Sequence, residues 1–239
     1  MKSDKGGVYI KRILKIAIPY TIPVMLGYIS VGMAYGLLIV KSGLSLWAGL
    51  AMSVFLYAGA MQFVAIQILI APINLIQVAL MTLFVNIRHL FYGLSFVDTF
   101  KSYGWKKQYL IFGMTDETYS LLCGVSAQEE IEQETLFFTI LILNQSYWIV
   151  GTVLGALVGN MIHFDTTGID FAMTALFVVI FIEQWLANKN HLPAITGVLS
   201  AIIAIKIFGP SQMVLPAMVM MFSFLLVVRR YKSGGDNRG

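Results

Sequence analysis

The amino-acid sequence predicts an all-α membrane protein, built as a polytopic helical bundle with about six to eight spans. Of its 239 residues, 58% are hydrophobic and only 12% are charged, whereas soluble domains carry about 25% charged residues. Several apolar runs exceed the ~18 residues that a helix needs to cross a bilayer. These runs lack the short apolar–polar alternation of membrane β-barrels, so helices are the spanning structure that remains.

Eight hydrophobic segments follow one another along the chain, with only short polar breaks between them. They cover residues 13–40, 43–71, 73–97, 108–126, 135–163, 169–187, 192–208 and 211–230. The breaks leave no room for a soluble domain. We therefore expect a single transmembrane domain over residues 13–230, with a basic tail at 1–12 and a polar tail at 231–239.

Proline and glycine inside two of these segments predict broken or re-entrant helices. The second segment contains Gly59 within an Ala-Gly-Ala sequence, followed by the polar Gln62, which favours a functional break over residues 58–62. The first segment contains two prolines and three glycines: Pro19, Pro23, Gly27, Gly32 and Gly36. These residues fit either a broken helix or a continuous helix whose glycines let a neighbouring helix approach closely.

Loop charge constrains the topology, because cytoplasmic loops of membrane proteins are rich in lysine and arginine. The N-terminal tail at 1–12 and the basic loop at 98–107 are therefore both expected in the cytoplasm, and the acidic loop at 127–134 outside. Eight simple spans would put the basic loop outside, a conflict that disappears if segment two or three does not cross. Two halves joined at the acidic loop, each with one non-crossing element, would form an inverted repeat.

Arg88 and His89 lie far inside the third apolar segment. A charged residue at the centre of a membrane helix costs roughly 2.5–3.5 kcal/mol, so it usually has a partner or a function. Arginine is permanently charged and binds carboxylates through two hydrogen bonds. Neighbouring helical residues point about 100° apart, so both side chains face one cavity only if the helix breaks, where Asn86 would satisfy the backbone. The alternative is an arginine near the interface or in a structural pair.

Asp116 and Glu117 form a second internal charge pair, in the fourth segment. A buried carboxyl group can take up and release a proton near neutral pH, as a proton-coupled carrier requires, and the ordinary pKa of a histidine such as His89 lies in the same range. The alternative is a shallow polar helix end. Asp170 and Glu183 lie nearer to segment ends and are weaker candidates.

No enzyme motif is present, because the chain lacks a phosphate-binding glycine loop, zinc-ligand spacing and a nucleophile with a positioned base. We therefore expect no metal, no cofactor and no catalysis. The net charge of +4 comes mainly from the chain ends and residues 101–107, which predicts contact with the membrane surface and not with nucleic acid. Secondary transport is favoured; the alternatives are a scaffold subunit and a lipid-acting enzyme with His89 and Asp116 as acid and base.

Five stretches match a known family in order and spacing across about 20–185. The most specific are Asn-x-Arg-His-x-x-Tyr-Gly at 86–93 and Thr-Asp-Glu at 115–117, and the others are 26–36, 58–63 and 170–177. On these stretches the chain resembles the AzlC family, the large subunits of branched-chain amino-acid transporters. From about residue 190 onward only a hydrophobic pattern is shared.

The resemblance implies an ion-coupled secondary transporter that exports valine-type amino acids across the bacterial inner membrane. It also implies a small hydrophobic partner subunit of the AzlD type, besides the amino-acid substrate and membrane lipid. A zwitterion needs a cationic and an anionic contact near the membrane midplane, together with an apolar pocket for its side chain. The expected substrate-binding residues are Arg88, Asp116, Gln62, Asn86 and Tyr92, and the expected ion-coupling residues are Glu117, His89 and Asp116.

The positions of Arg88 and Asp116 along the chain predict that their side chains meet. Arg88 lies about ten residues before the loop at 98–107, and Asp116 about ten after it. At a rise of 1.5 Å per residue, both lie ~15 Å from the same membrane surface, near the middle of a ~30 Å apolar core. Adjacent antiparallel segments then place the pair face to face, either as a substrate clamp or as a structural ion pair.

Overall fold

A computed structural model of the chain describes residues 3–70, 74–125, 132–161, 178, 181–182, 185–186, 189–209 and 213–235. Regular structure in these residues is helical, which confirms the predicted fold class. The helices with defined bounds are α1 (Ser3–Lys41), α2 (Leu46–Phe55), α3 (Gly59–Ile70), α4 (Leu75–Ser95), α5 (Val97–Phe100), α6 (Lys106–Phe112), α7 (Asp116–Gly124), α8 (Gln133–Met161), α9 (Leu192–Phe208) and α10 (Val214–Gly235). The predicted segment at 169–187 and the acidic loop lie largely outside the described residues, so the inverted repeat stays a prediction.

The chain forms two compact units. Unit one comprises Met1–Pro72 and Val85–Asp170, and unit two comprises Ile73–Phe84 and Phe171–Gly239. Helix α4 contributes residues to both. The predicted substrate-binding and coupling residues all belong to unit one.

Helices α1 and α8 form the frame of unit one and lie in backbone contact. A Cβ atom added to Gly36 would lie 2.0 Å from the Thr152 carbonyl oxygen. One added to Gly155 would lie 1.9 Å from the Met33 carbonyl oxygen. Small residues at such crossings are how membrane helices approach closely and gain packing energy. The close approach brings the polar side chains of α8 against α1.

The first hydrophobic segment is one continuous helix, so the broken-helix interpretation of this segment is wrong. Helix α1 runs uninterrupted through Pro19 and Pro23. Close packing at glycine is confirmed for Gly32 and Gly36, whereas a Cβ atom on Gly27 would meet nothing within 4 Å. Packing against α8 outweighs the backbone hydrogen bonds that the two prolines remove.

The second segment breaks as predicted, although the break between α2 and α3 lies at 56–58 and not at 58–62. Tyr57 follows the end of α2 with φ +40°, a left-handed backbone conformation that usually falls to glycine. The Leu56 and Tyr57 amides both donate to the Met52 carbonyl, at 2.9 and 3.0 Å. A side chain in this conformation costs roughly 1–2 kcal/mol, so the surrounding structure must hold Tyr57 in place.

The fourth segment is not the single helix over 108–126 that the sequence predicts. It divides into α6 and α7, with a break at 113–115. Thr115 is the N-cap of α7, and its hydroxyl oxygen accepts from the Thr118 amide at 3.2 Å. Asp116 and Glu117 occupy the first turn, where the helix dipole favours carboxylates. The two carboxylates therefore mark a helix start and not the interior of a span.

An apolar core fixes the position of this second break. It joins residues of α1, α5, α6, α7 and α8, and its fully buried members include Phe100, Leu110 and Phe137. At the edge of the core, Lys106 at the start of α6 forms an ion pair with Glu134 of α8, with the two atoms 2.9 Å apart. These contacts hold α6, and with it the start of α7, against α8.

Unit two contains the first part of α4 together with α9 and α10. Helix α9 has the bounds that the sequence predicts, 192–208, and α10 begins slightly later than predicted. The Phe84 and Phe222 rings lie 6.5 Å apart, and a Cβ atom on Gly197 would lie 3.3 Å from the Met221 sulfur. This unit is therefore packed by apolar contacts.

Within the described residues, three helices are long and apolar enough to cross a membrane: Tyr9–Lys41 of α1, Leu75–Ser95 and Gln133–Met161. Four shorter apolar helices accompany them: Leu46–Phe55, Gly59–Ile70, Leu192–Phe208 and Pro216–Val228. Two of these short helices, α2 and α3, are the halves of one interrupted apolar segment. A helical membrane protein with broken elements is the architecture that the sequence predicts.

Candidate functional site

The charged centre of unit one is an ion pair between Arg88 of α4 and Asp116 of α7, in which Arg88 Nη1 donates to Asp116 Oδ2. This contact confirms the prediction that the two side chains meet. Their side chains are 40% and 26% exposed, so the pair lies at the edge of the unit. Arg88 Nε and Asp116 Oδ1 are buried and form no hydrogen bond within the described residues. Each group therefore keeps the capacity to bind a further partner.

Aromatic contacts hold α4 against α7 beside the ion pair. Because α4 is continuous through Arg88 and His89, no break lets both side chains face one cavity, and Asn86 satisfies no such break. The His89 ring packs edge-on against Tyr92, with centroids 6.0 Å apart, and Tyr92 stacks on Tyr119 of α7 at 4.5 Å. Arg88 and Tyr92 of α4 therefore both contact α7, and His89 packs on Tyr92.

A chain of hydroxyl groups leads from the start of α7 into the interior of unit one. The Tyr28 hydroxyl of α1 donates to Glu117 Oε2 at 2.8 Å and lies 2.5 Å from the Thr115 hydroxyl. Thr115 donates to the Thr118 hydroxyl at 3.0 Å, and Thr118 also accepts from Asn144 Nδ2 of α8 at 3.0 Å. Glu117 is exposed, whereas Tyr28, Thr118 and Asn144 are buried. This chain connects the Glu117 carboxylate to the polar face of α8.

Gln62 belongs to a different network, beside the break between α2 and α3. Its fully buried side chain donates through Nε2 to the Ser53 hydroxyl at 3.2 Å. The Ser53 hydroxyl in turn lies 3.0 Å from the Thr152 hydroxyl of α8. The structure therefore places Gln62 with α2 and α8, and not with the Arg88–Asp116 pair.

Sequence reasoning missed the polar face of α8. Asn144, Trp148 and Thr152 follow one another at intervals of four residues, which aligns them on one side of a helix. The available signal was the amide pair Asn144-Gln145 in the middle of the apolar segment 135–163. An uncharged amide is a weak signal, because membrane helices often bury one in an ordinary interhelical hydrogen bond.

Gln145 of α8 forms hydrogen bonds with residues near both helix breaks. Its Nε2 atom donates to the carbonyl oxygens of Val54 at 3.0 Å and Ser53 at 3.4 Å, near the end of α2. Its Oε1 atom accepts from the Tyr109 hydroxyl of α6 at 2.5 Å. Carbonyl groups at an interrupted helix end need partners of this kind, since lipid offers none.

Replacing Gln145 by leucine will destabilise unit one, because the Val54 carbonyl and the Tyr109 hydroxyl lose their partner. Each buried polar group left unpaired costs about 1–3 kcal/mol. The measurement is thermal unfolding of the purified chain in detergent. Ser146→Ala is the control, because the exposed Ser146 hydroxyl bonds to the Ile142 carbonyl of its own helix and, within the described residues, to no other helix. Equal unfolding temperatures for the two variants would contradict the role of Gln145.

Comparison with known proteins finds a matching family model and several similar membrane or transport proteins. Residues 23–162 match the family model described as AzlC protein. A Bacillus subtilis protein described as branched-chain amino acid transport protein AzlC is 40% identical over 90% of this chain and 84% of its own length. An uncharacterized membrane protein of Helicobacter pylori is 41% identical over 92% and 96% of the two chains, and the Escherichia coli inner membrane protein YgaZ is 26% identical over 83% and 84%. No solved structure matches.

Proposed function

The chain is a membrane protein that belongs to the AzlC family, and we propose that it is a secondary transporter subunit for branched-chain or related hydrophobic amino acids. We further propose that it exports them across the bacterial inner membrane, with its N-terminus in the cytoplasm. The name of the Bacillus relative supports the substrate class. The basic N-terminal tail supports the orientation.

The observation that carries this proposal is the ion pair at the start of α7. Arg88 and Asp116 place a fixed cation and a fixed anion side by side in a unit that is otherwise largely apolar. A zwitterionic amino acid presents the same two charges at a similar separation. The substrate carboxylate would replace Asp116 on the Arg88 guanidinium, and the substrate ammonium would replace Arg88 on the Asp116 carboxylate. Exchange of partners in this way costs no unpaired charge.

Two interrupted helices support a transport role for the same region. Transporters commonly bind substrate where discontinuous helices expose their ends, since a helix N-terminus favours anionic groups. The start of α7 lies beside Arg88, so the α7 dipole adds to the attraction for a substrate carboxylate. Tyr92 lies one helical turn after Arg88 on α4 and completes the proposed substrate contacts, whereas Asn86 lies on a different face of the same continuous helix.

Ion coupling is assigned to Glu117, His89 and Asp116. The Asp116 carboxylate would bind either a proton or the substrate ammonium. Proton uptake and substrate binding would therefore compete for one carboxylate. Glu117 accepts a hydrogen bond from Tyr28 of α1, so a change in the charge of Glu117 would alter a contact with this helix. A small hydrophobic subunit of the AzlD type is the proposed partner, on the family resemblance alone.

Counterflow in proteoliposomes tests the substrate class. We expect labelled valine and leucine to accumulate against an internal pool of unlabelled valine, and methionine to follow more weakly. The chain is reconstituted with and without the small partner subunit, and labelled lysine is the control because its side-chain cation has no partner in an apolar pocket. A flat response to all of these amino acids with the partner present would contradict amino-acid transport and favour a scaffold role.

A further inference from the structure

Unit one contains a second polar centre that the ion pair does not use. Five side chains that are at most 4% exposed each carry a polar atom without a hydrogen bond in the described residues. This inner polar cluster consists of Tyr35, Tyr57, Gln62, Asn144 and Trp148. Leaving one buried polar group unpaired costs about 1–3 kcal/mol, and lipid supplies no partner. Five such groups in one unit are available to a polar ligand.

The members of the inner polar cluster are neighbours. The Trp148 ring stacks against Tyr35 with centroids 6.0 Å apart, and Asn144 lies one helical turn before Trp148 on α8. Gln62 connects to the same helix through Ser53. A Cβ atom on Gly59 would lie 3.3 Å from the Trp148 ring, so this glycine lets α3 begin directly beside the indole.

Tyr57 lies at the break between α2 and α3, two residues before the Gly59 that adjoins Trp148. It is buried, its hydroxyl has no hydrogen-bond partner in the described residues, and its backbone has φ +40°. Non-glycine residues held in such a conformation concentrate at binding sites, where the surrounding structure maintains the strain. Glycine would end α2 at lower cost, so the side chain of Tyr57 has a use that the turn itself does not explain.

The free atoms in the cluster match the two ends of an amino acid. Gln62 Oε1 and Asn144 Oδ1 are acceptors, whereas Trp148 Nε1 is a donor and the two tyrosine hydroxyls can donate. We infer that the inner polar cluster is a second station for the transported zwitterion, which holds its ammonium by the amide oxygens and its carboxylate by the indole and hydroxyl donors.

This inference rests on the proposed function, and the two stations are connected. Thr115, which precedes Asp116, bonds to Thr118, and Thr118 accepts from Asn144 of the cluster. The outer station at Arg88 and Asp116 is charged, whereas the inner station is neutral. A site that holds its ligand too tightly retains it, so transport favours sites of moderate affinity. A neutral inner station can release the zwitterion without breaking a full ion pair.

Trp148 provides a direct optical test. The chain has four tryptophans, and Trp47, Trp105 and Trp185 are replaced by phenylalanine so that the emission reports Trp148 alone. We expect titration with L-valine to change this emission saturably, and valinamide, which lacks the carboxylate, to act at least about tenfold more weakly. Binding of labelled L-valine to the same protein is measured in parallel.

Hydroxyl removal separates a ligand role from a structural one. Tyr35→Phe and Tyr57→Phe each delete a hydroxyl that makes no hydrogen bond of normal length and angle in the described residues, so thermal unfolding should change little. We expect each variant to weaken L-valine binding about tenfold. Tyr147→Phe is the matched control on α8, because the Tyr147 hydroxyl pairs with Thr21, and it should leave affinity unchanged.

The outcomes distinguish this inference from the proposed function. If labelled valine binds but Trp148 emission does not respond and the phenylalanine variants bind normally, the cluster holds ordered water only and the inner station is overturned. If the unmodified chain neither binds nor transports valine, the proposed function fails and the inner station falls with it. A saturable Trp148 response together with weakened binding in both variants supports the inner station.

Discussion

The double variant Arg88→Met, Asp116→Leu will reach the membrane at normal levels and lose valine transport by at least about 100-fold. Each charge-assisted hydrogen bond to the substrate is worth about 1.5–3 kcal/mol, so removing two of them lowers affinity by two orders of magnitude or more. The variant should still fold, because the pair is partly exposed and replacing both partners leaves no unpaired charge behind. Valine counterflow and the yield of folded protein are measured side by side.

The matched control for this variant is Lys106→Met, Glu134→Leu. That ion pair also joins two helices of unit one, and its side chains are 26% and 27% exposed. It lies beside the Phe138 ring and makes none of the proposed substrate contacts. We expect it to transport valine normally. Retained transport in the Arg88 and Asp116 double variant would show that their ion pair is structural.

Gly155→Ala will prevent α1 and α8 from packing at their native distance and will unfold unit one. The added Cβ atom would lie 1.9 Å from the Met33 carbonyl oxygen, and backbone atoms cannot rotate away as a side chain can. Overpacking a tight core typically costs about 1–3 kcal/mol of stability. Because this collision involves backbone atoms, we expect a loss of stability at or above the upper end of that range. Thermal unfolding in detergent and the fraction of monodisperse protein measure this loss.

Gly27→Ala serves as the control for Gly155→Ala, because it lies on α1 and a Cβ atom there meets nothing within 4 Å. Alanine favours helix by about 1 kcal/mol over glycine, so this variant should be at least as stable as the natural chain. If the Gly155→Ala variant had the same unfolding temperature as the natural chain, that result would contradict the close packing of α1 and α8.

Hydropathy predicts the uninterrupted helices well, because length and apolar composition decide them. The bounds of α9 agree with the sequence prediction, and α4 and α8 agree to within about two residues. The helix interruptions are harder to predict from the sequence. The α2 end falls on Tyr57, which is not a residue that normally marks a left-handed turn. Thr115 followed by two acidic residues is a standard helix-start signal, but the apolar run around it concealed the break.

The candidate site was predictable only where charge marked it. Matching depth on either side of one loop places Arg88 opposite Asp116, and the structure confirms their contact. Of the inner polar cluster, the sequence singled out Gln62 alone, because the other members are uncharged and come from helices far apart in the chain. The link from Gln62 through Ser53 to Thr152 depends on how α2, α3 and α8 cross, which hydropathy does not encode.

Competition by two valine analogues tests the central claim, that Arg88 binds the substrate carboxylate and Asp116 the substrate ammonium. Valinamide lacks the carboxylate charge, and 3-methylbutanoate lacks the ammonium group. Against labelled valine, each should compete at least about tenfold more weakly than valine in the natural chain. The weakness of valinamide should disappear in Arg88→Gln, and that of 3-methylbutanoate in Asp116→Asn. Unchanged discrimination against both analogues in the two variants would contradict the claim.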